Sequence, residues 1–404
     1  MGADDPARPD PAGHARVLAR EGVLSTEQLD VALDVTPLIG ARSGVGHFVA
    51  EILDAMQEAP GMRLVPYALS FRARRGGGIP GLSRPAPGPS PLPPGTRQLP
   101  FPAGAAIAAW GKFDQPSAER WLAPATVVHG TNFVVPPVRG AATVVTVHDL
   151  TFARFPEMVT PEVRRFAPAL RRAVDRGAWV HTPSQYVAAE AREILGTDRV
   201  MAVPHGVPRI ALPPSPLGGL IGDSQFILAM GTLEPRKNVP RLVAAFGPVA
   251  AAHPGLQLFL AGADGPAKPA VLAARNALPP TIQKRVHIAG YVDERMRATL
   301  LSRASVFAYP SLYEGFGFPV IEAMAAGTPV VAGDAGAIPE VAGEGALLVD
   351  PTDVDAIAEG LTRVLDDPAL AGNLVRAGRK QAAGYSWRRA ADGLTDLYRR
   401  AAAG

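Results

Sequence analysis

Cysteine is absent from the 404 residues. That excludes disulfides, thiolate metal sites and a cysteine nucleophile, and it fits a reducing compartment such as the cytosol. Lysine is scarce, with five against 35 arginines, and aromatic residues make up 6% of the chain. The formal net charge of +3 is too small to argue for a nucleic-acid partner. No uninterrupted apolar run is long enough for a spanning helix. The opening stretch, "MGADDPARPDPAGHARVLAR", lacks the apolar segment of a signal peptide. The expectation is a cytoplasmic protein, at most peripheral to the inner face of a membrane.

What is present is a chain of 47% apolar and 19% charged residues, long enough for two domains. Residues 1–28 read as a mobile tail, 29–207 as a first domain and 208–222 as a proline- and glycine-broken linker. Residues 223–384 read as a second domain and 385–404 as a final helix that crosses back to the first. Apolar strand-like runs such as "VALDVTPL" (31–38), "ATVVTVHDL" (142–150), "QFILAMG" (225–231) and "SVFAYPS" (305–311) alternate with helical stretches. Strands that are apolar throughout imply parallel sheets covered on both faces. The fold class that follows is α/β, with two doubly wound Rossmann-like domains facing a cleft. Ligands of such sheets bind beyond the carboxyl ends of the strands.

Two stretches carry chemistry. In "GTLEPRKN" (231–238), Arg236 and Lys237 follow a strand and precede a helix expected from about Asn238. Adjacent cations beside a helix N-terminus suit a di-anion, while a solvated surface pair is the plain alternative. In "PSLYEGFGFPVIEAMAAGTPVV" (310–331), Glu314 and Glu322 stand on either side of a Gly315-Phe316-Gly317 turn, with Pro319 suited to open a helix. The amides of residues 316–320 are expected to face a phosphate, with Glu322 in the first turn. Carboxylates only accept hydrogen bonds, so two at a cleft edge suit a ligand rich in hydroxyls. Their alternatives are compensation of the helix dipole for Glu322 and an exposed loop acid for Glu314.

The spacing of Glu314 and Glu322 around that turn, together with "GTLEPRKN", resembles the retaining glycosyltransferases of the GT4 family, which have the GT-B fold. The likeness is strong over 225–350 and loose in the first domain. It implies transfer of a hexose from a nucleotide diphosphate sugar, GDP-mannose or a UDP-sugar, with mannose favoured. It implies a polysaccharide, lipid-linked or small-molecule acceptor, no metal and no other cofactor. By the same resemblance Glu314 contacts the donor sugar, Glu322 the ribose, and Phe316 and Gly317 the sugar and phosphates. Arg236 and Lys237 neutralise the diphosphate, and His148 in "TVHDL" hydrogen-bonds the donor sugar. Gly44 and Gly46 in "SGVGHF" approach the diphosphate or acceptor as part of a glycine loop. Val292, in "GYVDERM", belongs to the loop whose backbone meets the base. A structural turn is the alternative for the glycines and a core histidine for His148. "VPHGV" departs from the family in carrying His205 where asparagine is usual.

A stretch over 161–176 bearing Arg164, Arg165, Arg171, Arg172 and Arg176 is expected to be one helix, either a solvated basic face or a membrane-surface contact. Three other readings stand beside this one. A phosphorylase needs a lysine for pyridoxal phosphate, and Lys237 is the one lysine in a cleft motif. A dehydrogenase needs a glycine fingerprint that "AGADGPAK" (261–268) lacks. A non-catalytic nucleotide-sugar-binding or scaffold protein of the same fold remains the main alternative.

Overall fold

The computed structural model describes residues 28–39, 44–57, 59, 61–69, 92–208 and 224–404. The expected tail (apart from its last residue), the expected linker (apart from its first) and the proline- and glycine-rich residues 76–91 lie outside those residues.

The first sheet comprises β1 (Leu29–Asp34), β2 (Met62–Ala68), β3 (Arg97–Gln98), β4 (Val127–Gly130), β5 (Ala142–Thr146), β6 (Trp179–Thr182) and β7 (Val200–Ala202). All pairings are parallel, in the spatial order β3-β2-β1-β4-β5-β6-β7. The second sheet comprises β8 (Phe226–Met230), β9 (Gln257–Ala261), β10 (Val286–Gly290), β11 (Val306–Tyr309), β12 (Val330–Gly333) and β13 (Ala346–Val349). It is also parallel, in the order β10-β9-β8-β11-β12-β13. Each sheet therefore reverses direction once, between β1 and β4 and between β8 and β11. A crevice opens at the carboxyl ends of such adjacent strands, because their connections leave to opposite sides.

The central strands β4, β8, β11 and β12 are buried at every position. This is why they read as unbroken apolar runs: helices cover both faces. On one face of the first sheet, Phe48, Ile52 and Leu53 of the helix Gly44–Gln57 pack with Leu33, Val127 and Val144. The same cluster holds Trp387, Leu394, Leu397 and Tyr398 of the last helix, Trp387–Ala403. The chain thus crosses back after the second sheet. Burying each such large side chain contributes of the order of 2 kcal/mol. Trp387 also donates its indole N–H to the Val207 carbonyl at 3.0 Å. Tyr398 reaches His129 Nδ1 at 2.6 Å, and His129 Nε2 lies 2.7 Å from the Thr146 hydroxyl. His129 is therefore a satisfied core histidine.

Helix starts follow local capping chemistry. Ser184 caps Gln185–Leu195 by accepting the Val187 N–H, and Asp293 caps Glu294–Arg303 by accepting the Met296 N–H. The stretch expected to be one helix over 161–176 is two, Pro161–Arg164 and Phe166–Asp175. Its arginines are mostly engaged within the protein. Arg164 bonds the Pro156 carbonyl, and Arg171 bonds the Ile194 and Leu195 carbonyls at 2.7 and 3.1 Å. Arg172 and Arg176 both hold Asp114, at 2.9 and 3.0 Å. Among the described residues no helix is long and apolar enough to cross a membrane.

Candidate active site

The two loops at the reversal point of the second sheet are stitched together before any charged group is considered. Residues 235–237 form a single 3-10 turn, and Asn238 follows it in the left-handed region at φ 59°. From there the buried Asn238 amide donates to the Pro310 and Pro351 carbonyls at 3.0 and 2.6 Å. The Leu312 N–H donates to the Arg236 carbonyl at 2.8 Å. Arg236 and Lys237 thus sit in a pinned turn, one residue ahead of the helix Val239–Ala252.

That turn delivers both cations to one acid. Arg236 Nη1 donates to Glu314 Oε2 at 2.5 Å, and Lys237 Nζ to Glu314 Oε1 at 2.6 Å. The Tyr309 hydroxyl, at the end of β11, donates to Glu314 Oε1 at 2.9 Å and accepts from Lys237 Nζ at 2.5 Å. Glu234 takes the Arg236 Nε–H at 2.9 Å. Burial pushes the Glu314 carboxyl up, but Arg236, Lys237 and the two hydrogen bonds outweigh it and bring it down to about 2. Burial lowers the Lys237 ammonium and Glu314 opposes the change. The exposed-acid alternative for Glu314 is excluded, since the residue is 5% exposed. Two acids meet two cations, so the cluster is close to neutral. Among the described residues, Arg236 Nη2 and the third hydrogen of Lys237 have no partner.

The turn after Glu314 needs its glycines. A Cβ on Gly315 would come within 1.8 Å of the His148 carbonyl oxygen, so the two lobes meet there backbone to backbone. Gly317 stands at φ 92° and caps the helix Phe318–Ala326. Pro319 has no N–H, and the Val320 N–H is used by the Gly317 carbonyl at 2.9 Å. The cradle expected from residues 316–320 therefore narrows to the amides of Phe316, Gly317 and Phe318.

Glu322 lies one turn into its helix rather than in the first turn, which contains no acid. Dipole compensation is therefore a poor account of it. The side chain is fully buried and paired through Oε2 with Arg297 of the helix Glu294–Arg303. Its other oxygen, Oε1, is buried without a hydrogen-bond partner among the described residues. Burial raises this carboxyl to about 7, with Arg297 opposing. Val292, in the loop after β10, packs its side chain against the core of the second sheet.

On the opposite wall, His148 follows β5. Its Nε2 donates to the Thr131 carbonyl at 2.9 Å, which leaves Nδ1 as the acceptor. Burial lowers its pKa, partly offset by that bond. The expected glycine loop at Gly44 and Gly46 is instead the first turn of the helix Gly44–Gln57, and Gly46 is buried in it. A Cβ on Gly44 would lie 3.7 Å from the Phe318 ring, so Gly44 does face the second lobe. His205 is buried between the lobes, stacked on Phe318 at 5.2 Å and beside Phe48 at 4.4 Å, and neither ring nitrogen has a partner among the described residues.

Several contacts across the cleft carried no local signal in the sequence. The Ser184 hydroxyl donates to the Gly315 carbonyl at 2.8 Å, and the Glu340 carboxylate accepts the Gln185 and Tyr186 N–H groups at 2.8 and 2.9 Å. Tyr313 bonds Glu190 and Leu150 of the first lobe.

Two parallel doubly wound sheets meeting at a cleft, with a terminal helix returning to the first, define a GT-B protein. Residues 218–381 match the model of the family described as glycosyl transferases group 1. It is 29% identical over 274 residues to the O-antigen chain mannosyltransferase B of Escherichia coli, covering 65% of this chain and 71% of that one. It is 30% identical over 200 residues to the phosphatidyl-myo-inositol mannosyltransferase of Mycolicibacterium smegmatis, covering 48% of this chain and half, 50%, of that protein's length. Sucrose-phosphate synthase from Thermosynechococcus elongatus shares the fold, with a TM-score of 0.69 at 22% identity, over 92% of this chain and 98% of that one.

Proposed function

We propose that the protein transfers a hexose, with retention of configuration, from a nucleoside diphosphate sugar to a hydroxyl of a glycan, lipid-linked or small-molecule acceptor. Mannose is the favoured sugar, supported by the mannosyltransferases among its relatives. The observation that carries the reading is the convergence of Arg236, Lys237 and Glu314 at the reversal point of the second sheet, next to Gly315, which abuts the His148 carbonyl. An incoming pyrophosphate takes the open donors of Arg236 and Lys237 and the amides of Phe316 and Gly317. Glu314, released in part from its cations, accepts from the sugar hydroxyls. The partnerless Oε1 of Glu322 accepts from the ribose, a group able to donate to a buried oxygen. The backbone at Val292 meets the base, and His148 Nδ1 accepts from the sugar. Gly44 lies near enough to Phe318 to limit what enters beside the diphosphate.

Transfer proceeds through an oxocarbenium-like state. The bond from the anomeric carbon to the bridging phosphate oxygen breaks, and its electron pair leaves with the nucleoside diphosphate. The acceptor oxygen bonds to the same face, and its proton passes to the departing phosphate. Negative charge grows on that phosphate, where two fixed cations and peptide N–H groups stabilise it without reorganising. They supply the charge that a divalent ion supplies in other transferases, so activity in excess EDTA is expected. The test is a thermal-shift screen with GDP-mannose, UDP-glucose and ADP-glucose, followed by mass spectrometry of products with sugar acceptors. Stabilisation by one donor and a product heavier by one hexose support the reading. Stabilisation by none of them, and no product, overturns it.

A further inference from the structure

Tyr313 is 2% exposed, and its hydroxyl crosses to the first lobe. There it donates to Glu190 Oε2 at 2.5 Å and accepts the Leu150 N–H at 3.0 Å. Glu190 belongs to the helix Gln185–Leu195, and its other oxygen holds Arg154 Nε at 2.9 Å. The acceptor is therefore a carboxylate neutralised by its own lobe, and the phenol's bond to it is charge-assisted. Leu150 lies two residues beyond His148, while the Tyr313 carbonyl accepts from Arg236 Nη1 at 3.4 Å. The Tyr313 ring is walled by Phe155 at 5.3 Å and Tyr186 at 6.2 Å, both of the first lobe. A single side chain thus joins the loop that carries His148 to the loop that carries Glu314, at the place where Gly315 meets the His148 carbonyl.

We propose that Tyr313 is a positioning residue for sugar transfer, fixing through its bonds to Glu190 and Leu150 the distance between the first lobe's wall of the cleft and the donor loop of the second. The inference rests on the glycosyl-transfer reading. Tyr313 touches no reacting atom; it acts by holding His148 and Glu314 in one geometry. A nucleotide held by the second lobe alone should not sense its loss, whereas turnover, which needs both walls, should. The phenol stays protonated at any assay pH because burial and Glu190 raise its pKa, so the lock does not open with ordinary changes of pH.

The test is Tyr313→Phe, which removes only the hydroxyl. Turnover is expected to fall by about 10–100-fold, the scale set by small misplacements of reacting groups. Calorimetric affinity for UDP or GDP should stay at the wild-type level. Glu190→Gln, which keeps an oxygen to accept from Tyr313, should retain more turnover than Glu190→Ala. A second measurement does not need transfer at all. The protein has no cysteine of its own, so cysteines placed at Lys112 and Lys284, both exposed, give clean fluorescence labels on the two lobes. Tyr313→Phe should lower the energy transfer between them. Wild-type turnover and unchanged energy transfer in Tyr313→Phe would overturn the inference, as would turnover and nucleotide affinity falling in step. If wild-type protein transfers no sugar, the functional reading fails, and the label measurement alone decides whether Tyr313 holds the lobes.

Discussion

Arg236 Nη1 lies 2.5 Å from Glu314 Oε2, although the residues are 78 positions apart in the chain. The contact exists because β8 and β11 are neighbours, so the loops that follow them share one edge of the sheet. On the proposed transfer reading, Arg236→Ala removes a fixed donor from the departing phosphate. Turnover should fall by roughly 10²–10³-fold in steady-state assays. Activity within about threefold of wild type would show that the guanidinium does not stabilise the transition state.

Glu314→Gln has a different signature. It leaves Arg236 and Lys237 facing each other without their shared anion, in a site where Lys237 is already lowered by burial. Denaturant unfolding should show a loss of about 3 kcal/mol, typical of a broken buried pair. Pyrophosphate or GDP should recover more stability in the variant than in wild type, because the ligand replaces the missing charge. Equal stability of the two proteins without ligand would contradict the ion-pair geometry.

Glu322 predicts a stability profile with a definite sign. Its carboxyl rises from an ordinary 4.5 to about 7 in the folded protein, through burial against the pull of Arg297. The folded state therefore holds a proton that the unfolded state has released. The stability tied to this group is full below pH 4.5 and is lost as pH rises through about 7. Glu322→Gln should flatten that part of the profile, measured by urea unfolding at several pH values. A slope unchanged by the substitution would place the titration elsewhere.

Gly315→Ala tests the meeting of the lobes. The added methyl would sit 1.8 Å from the His148 carbonyl oxygen, and backbone on both sides cannot yield cheaply. The variant should lose most transferase activity while keeping its helical circular dichroism, because the clash falls between lobes rather than inside one core. Full activity would mean that the lobes need not approach this closely during catalysis.

Much of this arrangement was legible in the chain. Runs such as "FILAM" and "VFAY" are apolar at every position because both faces of their strands are covered, so the parallel sheets could be inferred. The clustering of Glu314, Gly315, Gly317 and Glu322, two acids around a glycine turn before a helix, was plain in the sequence. What stayed hidden depends on contacts across the fold. Neither the double pairing of Glu314 nor the reach of Tyr313 to Glu190, 123 residues away, leaves any periodicity to read. Gly44 and Gly46 read as a loop by family resemblance, yet they lie in the helix Gly44–Gln57, whose burial against the first sheet outweighs the low helix propensity of glycine. The break at Arg165 also escaped, since arginines recur on both sides of it.

The most direct measurement is calorimetric titration of UDP and GDP against UMP and GMP, in excess EDTA, on wild type and on an Arg236→Ala/Lys237→Ala double variant. Wild type should bind at least one diphosphate about tenfold or more tightly than its monophosphate, and the double variant should lose that preference. Equal affinity for mono- and diphosphates in wild type would contradict a site in which Arg236 and Lys237 receive the pyrophosphate.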